Sequence, residues 1–544
     1  MTGSFRTALG ETIFRQKYAH EGAQTWAELA ETAVEDVCRN YLGKEAKDEL
    51  KRLIREMKFI PGGRYLRNVG RELKFFSNCF ALRAEEDTRE DWANLSWKAE
   101  SCLISGGGIG VDYSVYRARG GYLKRTGGTA SGPVPKMEMT NEIGRRVMQG
   151  GDRRSAIYAS LNWSHADAGE FLHAKDWDRI VVPGTNVSLK QVKEIDFNWP
   201  APLDMTNVSL NYDDAWLVSD NRARHPTFRD NVRQAMRTAE PGFSFNFGSK
   251  QNDTLRNACC EFTSDDDSDV CNLGSINMAN IDSLAEFETA CYLGAAFLYC
   301  GTVSGLVPYE KVKATRDRNR RIGLGIMGVH EWLIKRGLKY EVGEEMHRWL
   351  GTYRFASDAG AINVAVGLGT PTPKAVRAIA PTGTIGIIAG TTTGIEPVFA
   401  VAYKRRYLKA GSEWHYQYVV DSAAKDLIER YGTDPEKIES AVDLAADVER
   451  RVKFQADVQD YVDMAISSTI NLPAWGSDLN NEDRVGSTAE VISKYAPRLR
   501  GLTFYPDGSR GGQPLTAVPY TEAHGMEGVE MKEHDSCKGG VCGL

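Results

Sequence analysis

The stretch NACCEFTSDDDSDVCNLGSIN spans residues 257–277 and holds three of the chain's ten cysteines. Its first five residues set an amide, a thiol and a carboxylate (Asn257, Cys259 and Glu261) at alternate positions. In an extended segment alternate side chains share a face. The three would then look into one small volume, a set suited to placing a hydroxylated substrate, exchanging a proton with it and doing sulfur chemistry. Cys260 is expected on the opposite side of such a segment. The spacing also fits a loop whose cysteine packs inward while Asn257 and Glu261 face solvent, and short patterns of this kind recur by chance.

Around this stretch, short apolar runs alternate with helical patterns. The runs at 207–210, 243–246, 273–280, 322–329, 378–389 and 466–472 predict a predominantly parallel α/β sheet or barrel. Residues 75–82 (FFSNCFAL) read as a buried strand and 91–104 as a helix ending in the glycine run 106–108. A Gly/Thr-rich loop covers 120–134, and 136–149 and 165–175 read as helices. Across 24–58, positions such as Trp26, Leu29, Ala33, Val37 and Tyr41 recur at helical steps until Pro61-Gly62-Gly63 ends the region. This divides the chain into a helical N-terminal region (1–70), an α/β body (71–506) and a flexible tail (507–544), where apolar periodicity fades.

Composition narrows the class. The chain has 544 residues, 67 basic against 73 acidic, a net charge of −6 and 42% hydrophobic residues. That is a globular protein, neither disordered nor fibrous. Mild acidity gives no electrostatic reason for a nucleic-acid partner. No apolar run reaches the ~18 residues of a membrane span, and the start, MTGSFRTALGETIFRQ, lacks a signal-peptide core. A reducing cytoplasm is the expected location. Ten cysteines are too few for a disulfide scaffold, and their clustering points to catalytic, redox or metal-binding work. Cys38, Cys102, Cys291 and Cys300 lie in apolar helical surroundings and read as packing residues. No metal site is predicted: Cys537 and Cys542, with His524 and His534 nearby, lack the usual CxxC spacing. Gly106 to Gly110 is not a dinucleotide fingerprint, because Val111 stands where the third glycine is needed. A flavin- or zinc-dependent thiol oxidoreductase would show such a fingerprint or a CxxC pair. A non-enzymatic nucleotide-binding protein would not need cysteines clustered in this way.

Further segments join the central one. They are Phe76 to Phe80 (FSNCF), Pro61 to Arg64, GGGIGVD at 106–112, RTGGTASG at 125–132 and RIGLGIMG at 321–328. APTGTIGIIAGTTTGIEP at 380–397, SSTINLP at 467–473 and the terminal CKGGVCGL complete the set. In number and order they resemble the large catalytic subunit of ribonucleotide reductase. The resemblance implies a ten-stranded α/β barrel of two parallel half-sheets with a central finger loop, and a helical N-terminal region. It implies that Cys259 is the radical site, with Asn257 and Glu261 beside it. Cys79 and Cys271 would be the reductant pair, and Cys537 and Cys542 the shuttle that re-reduces them. This chain departs from the family in carrying Ala258 and Cys260 where Pro and Gly are usual.

Pro381, Thr382, Gly383, Thr384 and Ile385 combine hydroxyls and free N–H groups before an apolar run, a segment able to cradle phosphate. The resemblance makes them the substrate-phosphate loop, with Ser468, Thr469 and Asn471 as a second substrate segment. Arg117, Arg119 and Arg125 resemble the neighbourhood of a deoxynucleotide or ATP effector site, although solvated basic loops look the same. The wording of Pro61–Arg64, Ala380–Pro397 and Tyr505–Arg510 is most similar to the adenosylcobalamin-dependent branch. Phe504 beside Tyr505 breaks the two-tyrosine relay by which other members take a radical from a separate metal-containing subunit. The expected partners are a ribonucleoside di- or triphosphate, a thioredoxin- or glutaredoxin-like reductant and a second copy of the chain.

Overall fold

A computed structural model of the chain describes residues 5–149, 153–196, 198–409, 413–509 and 515–532. Ten strands form one sheet system: β1 (Phe59–Pro61), β2 (Cys79–Arg83), β3 (Gly108–Asp112), β4 (Ile157–Asn162), β5 (Thr206–Tyr212), β6 (Gly242–Phe245), β7 (Asp269–Asn277), β8 (Ile322–Met327), β9 (Thr469–Leu472) and β10 (Gly501–Pro506). Strands β2 to β6 run parallel in chain order. A second parallel set joins β7 to β8 and β9 to β10. Between them lies the segment 375–379, bridged in parallel through Leu324–Arg377 and Ile379–Ile466. The halves meet at two antiparallel seams, Cys79 opposite Cys271 and Phe243 opposite Leu502, so the ring closes. β1 lies outside the ring, antiparallel to β7.

The burial explains why these segments are strands. Every residue of β3, β7 and β8 is buried, the mark of strands covered on both faces. Helices form the outer cover, and side-chain caps at Thr25, Thr88 and Ser283 start three of them. The long helices Leu284–Ser304 and Glu344–Leu368 pack over the second half. Arg89–Ile104, Pro133–Arg146 and Pro226–Thr238 cover the first. Cys38, Cys102, Cys291 and Cys300 are all fully buried in these layers, as packing residues should be.

Four expectations need correction. The helical pattern over 24–58 is two helices, Trp26–Cys38 and Lys44–Arg55, interrupted at Arg39, whose φ is 36°. The run 378–389 is not one strand: 375–379 enters the barrel wall and, after Pro381, Gly383–Ala389 is a helix. The N-terminal region is not separate from the body, because β1 joins the sheet and Trp26, Val34 and Val37 share its core. Nor is 507–544 wholly a loose tail. Leu515–Val518 and Glu530–Lys532 flank the hairpin Ala402–Lys409/Glu413–Val420 in a four-stranded antiparallel sheet. Such edge strands are held by backbone pairing and need little apolar periodicity. Cys537 and Cys542 lie outside the described residues.

Candidate active site

Residues 246–268 connect the two half-sheets by passing through the ring. This finger has a short stem, Leu255–Arg256 paired with Thr263–Ser264. Its closeness to the wall is extreme at Gly110, where an added Cβ would sit 1.8 Å from the Arg256 carbonyl oxygen. Only glycine admits that approach. The tip is held from both sides: Asn207 Nδ2 donates to the Ala258 carbonyl at 3.0 Å, and Ala465 N donates to the Glu261 carbonyl at 2.9 Å.

The tip is a turn rather than an extended segment. Cys260 N donates to the Asn257 carbonyl at 3.0 Å, and Cys260 takes a φ of 69°. Asn257 and Glu261 converge because the chain folds back, not because side chains alternate. A cysteine in this left-handed conformation costs about 1–2 kcal/mol that glycine would not. That is the physical content of the departure at position 260.

Asn257 Nδ2 lies 2.9 Å from Glu261 Oε1 and 2.8 Å from Cys79 Sγ, while Asn257 Oδ1 accepts from Phe262 N at 3.0 Å. The amide is therefore fixed at both ends. Cys79 Sγ is 3.8 Å from Glu261 Oε1. Glu261 Oε2 is buried with no hydrogen-bond partner. Burial outweighs the bonds from Asn257 and Cys79 and pushes the Glu261 carboxyl up to about 7. Burial first, then the charge of Glu261, holds the Cys79 thiol well above its ordinary range, and Cys271 is raised for the same reasons. Both thiols are protonated near neutrality. As directly opposed residues of antiparallel strands, Cys79 and Cys271 have the neighbour spacing that a disulfide can bridge.

Cys259 and Cys260 are half-buried and line a cavity of about 220 Å³. Asn207, Ser209, Ser468, Thr469, Thr503 and Tyr505 also face it. Burial pushes the Cys260 thiol up to about 12. Asn471 lies on β9, two residues beyond Thr469. Pro381 to Ile385 do not line this cavity, but Ile379, just before them, pairs with Ile466 on its rim. Thr382 takes φ 49° and its Oγ1 accepts from Gly394 N at 2.8 Å, which fixes the loop ahead of the helix Gly383–Ala389. The first-turn N–H groups of that helix fall outside its own ladder. Arg117, Arg119 and Arg125 are not among the cavity's lining residues. Arg117 is paired with Asp87, and Arg119 with Glu170 at 2.6 Å, as exposed ion pairs.

Sequence reasoning missed two groups here. Asn207 anchors the finger from 51 residues away, and no spacing rule reaches that far. Glu396 is the second. Its carboxylate accepts from Thr469 N at 2.7 Å and from Arg451 at 2.9 Å, beneath the Ser468–Thr469 segment. Its signal was an acidic residue inside the Ala380–Pro397 motif. Among the described residues no group of His, Cys, Asp and Glu could hold a metal ion.

A ring of two opposed parallel half-sheets, pierced by a loop that presents a thiol beside a carboxylate and near a cross-strand thiol pair, defines a nucleotide-reducing barrel enzyme. Residues 77–191, 228–349 and 374–495 match the family described as ribonucleotide reductase, barrel domain, and the chain belongs to that family. A vitamin B12-dependent ribonucleoside-diphosphate reductase of Mycobacterium tuberculosis (strain CDC 1551 / Oshkosh) is 27% identical over 582 residues, covering 93% of this chain and 80% of that protein. An adenosylcobalamin-dependent ribonucleoside-triphosphate reductase of Euglena gracilis is 22% identical over 632 residues, covering 94% and 81%. The Actinobacillus ureae class Id ribonucleotide reductase alpha subunit shares the fold, with a TM-score of 0.71 at 14% identity, over 92% of this chain and 97% of that one. No helix among the described residues is long and apolar enough to cross a membrane.

Proposed function

We propose that this enzyme reduces ribonucleotides to 2′-deoxyribonucleotides with Cys259 as the thiyl radical site and adenosylcobalamin as the radical source. The observation that carries the site assignment is the buried, unpartnered Glu261 Oε2 on the same tip as Cys259. An orphan carboxylate oxygen in a closed site asks for a hydroxyl donor.

In this reading the Cys259 radical takes the 3′ hydrogen of the ribose. Glu261 accepts the 3′-OH proton, a task suited to a carboxyl poised near 7. The 2′-OH leaves as water with a proton from a neighbouring thiol. Cys79 and Cys271 supply two electrons and two hydrogens and end as a disulfide, and Cys259 regains its radical when the 3′ hydrogen returns. Asn257 fixes Glu261 and Cys79 throughout. Keeping the thiols protonated matters, because hydrogen atoms and not hydride pairs are exchanged.

The residues around Cys259 fit a nucleoside group: Asn207, Ser209, Thr503 and Tyr505 supply amide and hydroxyl groups to a cavity whose wall also includes Phe243, Leu502 and the acidic Glu240. These would hold the adenosyl part of the cobalamin, which supplies a radical able to take the thiol hydrogen. Phe504, buried on β10 beside Tyr505, argues against a tyrosine pair carrying a radical from a separate subunit. The names of the B12-dependent relatives support the same choice.

Pro381 to Ile385, Ser468, Thr469 and Asn471 would bind the substrate, and Arg117, Arg119 and Arg125 an effector nucleotide. Cys537 and Cys542 would pass electrons from a thioredoxin- or glutaredoxin-like protein in the cytoplasm. Exposed Trp97, Ile104 and Met139 on the adjacent helices Arg89–Ile104 and Pro133–Arg146 support a homodimer. The test is purified protein with adenosylcobalamin, a ribonucleotide and a dithiol. Deoxynucleotide should form; activity only with a second, metal-containing subunit would reject the cofactor.

A further inference from the structure

The root of the finger holds an unbalanced cluster of positive charge. Arg256 Nη2 donates to the Arg500 carbonyl at 2.9 Å and to Asn246 Oδ1 at 2.7 Å. Arg500 Nε donates to the Phe245 carbonyl at 3.2 Å, and its Nη2 reaches the same Asn246 oxygen at 3.5 Å. Two guanidinium groups thus share neutral acceptors. They are only 1% and 6% exposed. One carboxylate, Asp253, stands 3.4 Å from Arg500. Nη1 of each arginine is buried with no hydrogen-bond partner. Like charges in a site of low polarity repel strongly unless an anion joins them.

Arg500 lines a cavity of about 310 Å³, separate from the one at Cys259. Lys250, Arg354, Arg498, Phe247 and Tyr461 line it too. Its two acids are already committed. Asp463 takes Arg377 Nη2 at 2.6 Å and the N–H groups of Val376 and Arg377, and Asp460 takes Arg498 at 2.6 Å. Lys250 Nζ donates to a carbonyl, that of Asp463, and neither Lys250 nor Arg354 has an ion-pair partner among the described residues. Three cations and two aromatic rings therefore face one concavity, and of the three only Arg500 has a carboxylate in reach, Asp253 at 3.4 Å.

We propose that this cavity binds a phosphate-bearing anion through Arg500, Lys250 and Arg354, and that the bound anion steadies the finger that carries Cys259. The connection is short: Arg256, which shares acceptors with Arg500, directly precedes Asn257. The aromatic pair suits a nucleoside attached to that phosphate. The inference concerns binding and does not depend on which cysteine carries the radical.

The experiment is backbone hydrogen exchange on the full chain with inorganic tripolyphosphate or ATP, read in peptides covering 246–256 and 459–463. Either probe should slow exchange there. The Lys250→Gln, Arg354→Gln double variant, whose side chains are not in the buried arginine pair, should weaken that protection by roughly tenfold or more in probe concentration. Protection at the Thr382 loop should be untouched by the double variant. Protection by ATP alone assigns a nucleotide, and by both probes a phosphate group. No protection in these two segments, or protection the double variant leaves intact, overturns the proposal.

Discussion

Asn257 and Glu261 are joined by a 2.9 Å hydrogen bond across the finger turn, and the bond leaves the second Glu261 oxygen without a partner. Glu261→Gln keeps the shape of that bond but removes the proton acceptor. Turnover should fall by roughly 10²–10⁴-fold. In the parent enzyme the rate should rise with pH through about 7, where Glu261 ionises, and this limb should vanish in the variant. A pH–rate profile of the two proteins checks it.

The same carboxyl makes a stability prediction of definite sign. Its folded pKa, about 7, lies above its ordinary 4.5, so the folded state holds the proton more tightly. That stabilisation is full below 4.5 and is lost as pH rises through about 7, amounting to about 3 kcal/mol. Glu261→Gln should flatten the fall in denaturation midpoint between pH 4.5 and 7. An equal fall in both proteins would remove Glu261 as its source.

Cys259→Ser should abolish deoxynucleotide formation while leaving the unfolding midpoint nearly unchanged, since the thiol is only half-buried. Full activity in that variant would move the radical site elsewhere. Cys260→Gly is the matched control. It relieves the left-handed strain at φ 69° and should keep turnover while stabilising the chain by up to about 1 kcal/mol.

Cys79→Ala and Cys271→Ala should each stop multiple turnover, because either change leaves the seam one thiol short of a disulfide. Thiol titration after substrate addition without external reductant should show two thiols lost per deoxynucleotide in the parent enzyme. It should show no such paired loss in either variant.

Thr382→Val removes the hydroxyl that accepts from Gly394 N. Losing one loop-fixing hydrogen bond of about 1 kcal/mol should raise KM about fivefold with a smaller effect on kcat. An unchanged KM would take Thr382 out of the substrate loop.

Much of the barrel could be read from residues. The runs at 207–210, 243–246 and 322–329 fall on β5, β6 and β8, whose residues are buried apart from Asn207, so an apolar run without alternation was the right signal. The run at 378–389 misled because a buried helix and a buried strand look alike over so few residues. At the site, the residue types of Asn257, Cys259 and Glu261 were legible but the turn that gathers them was not. Cys260 disguises a position where glycine would have signalled positive φ. Asn207, Glu396 and the Arg256–Arg500 pair act across tens to hundreds of residues, and local patterns carry no trace of such contacts.

The antiparallel seam between β2 and β7 brings together residues 79 and 271, and the other seam residues 243 and 502. Contacts of such sequence separation close late, after the loops between them have been ordered. Cys79 and Cys271 therefore become neighbours only when the ring shuts. A chain whose seam is still open has no cross-strand dithiol to oxidise.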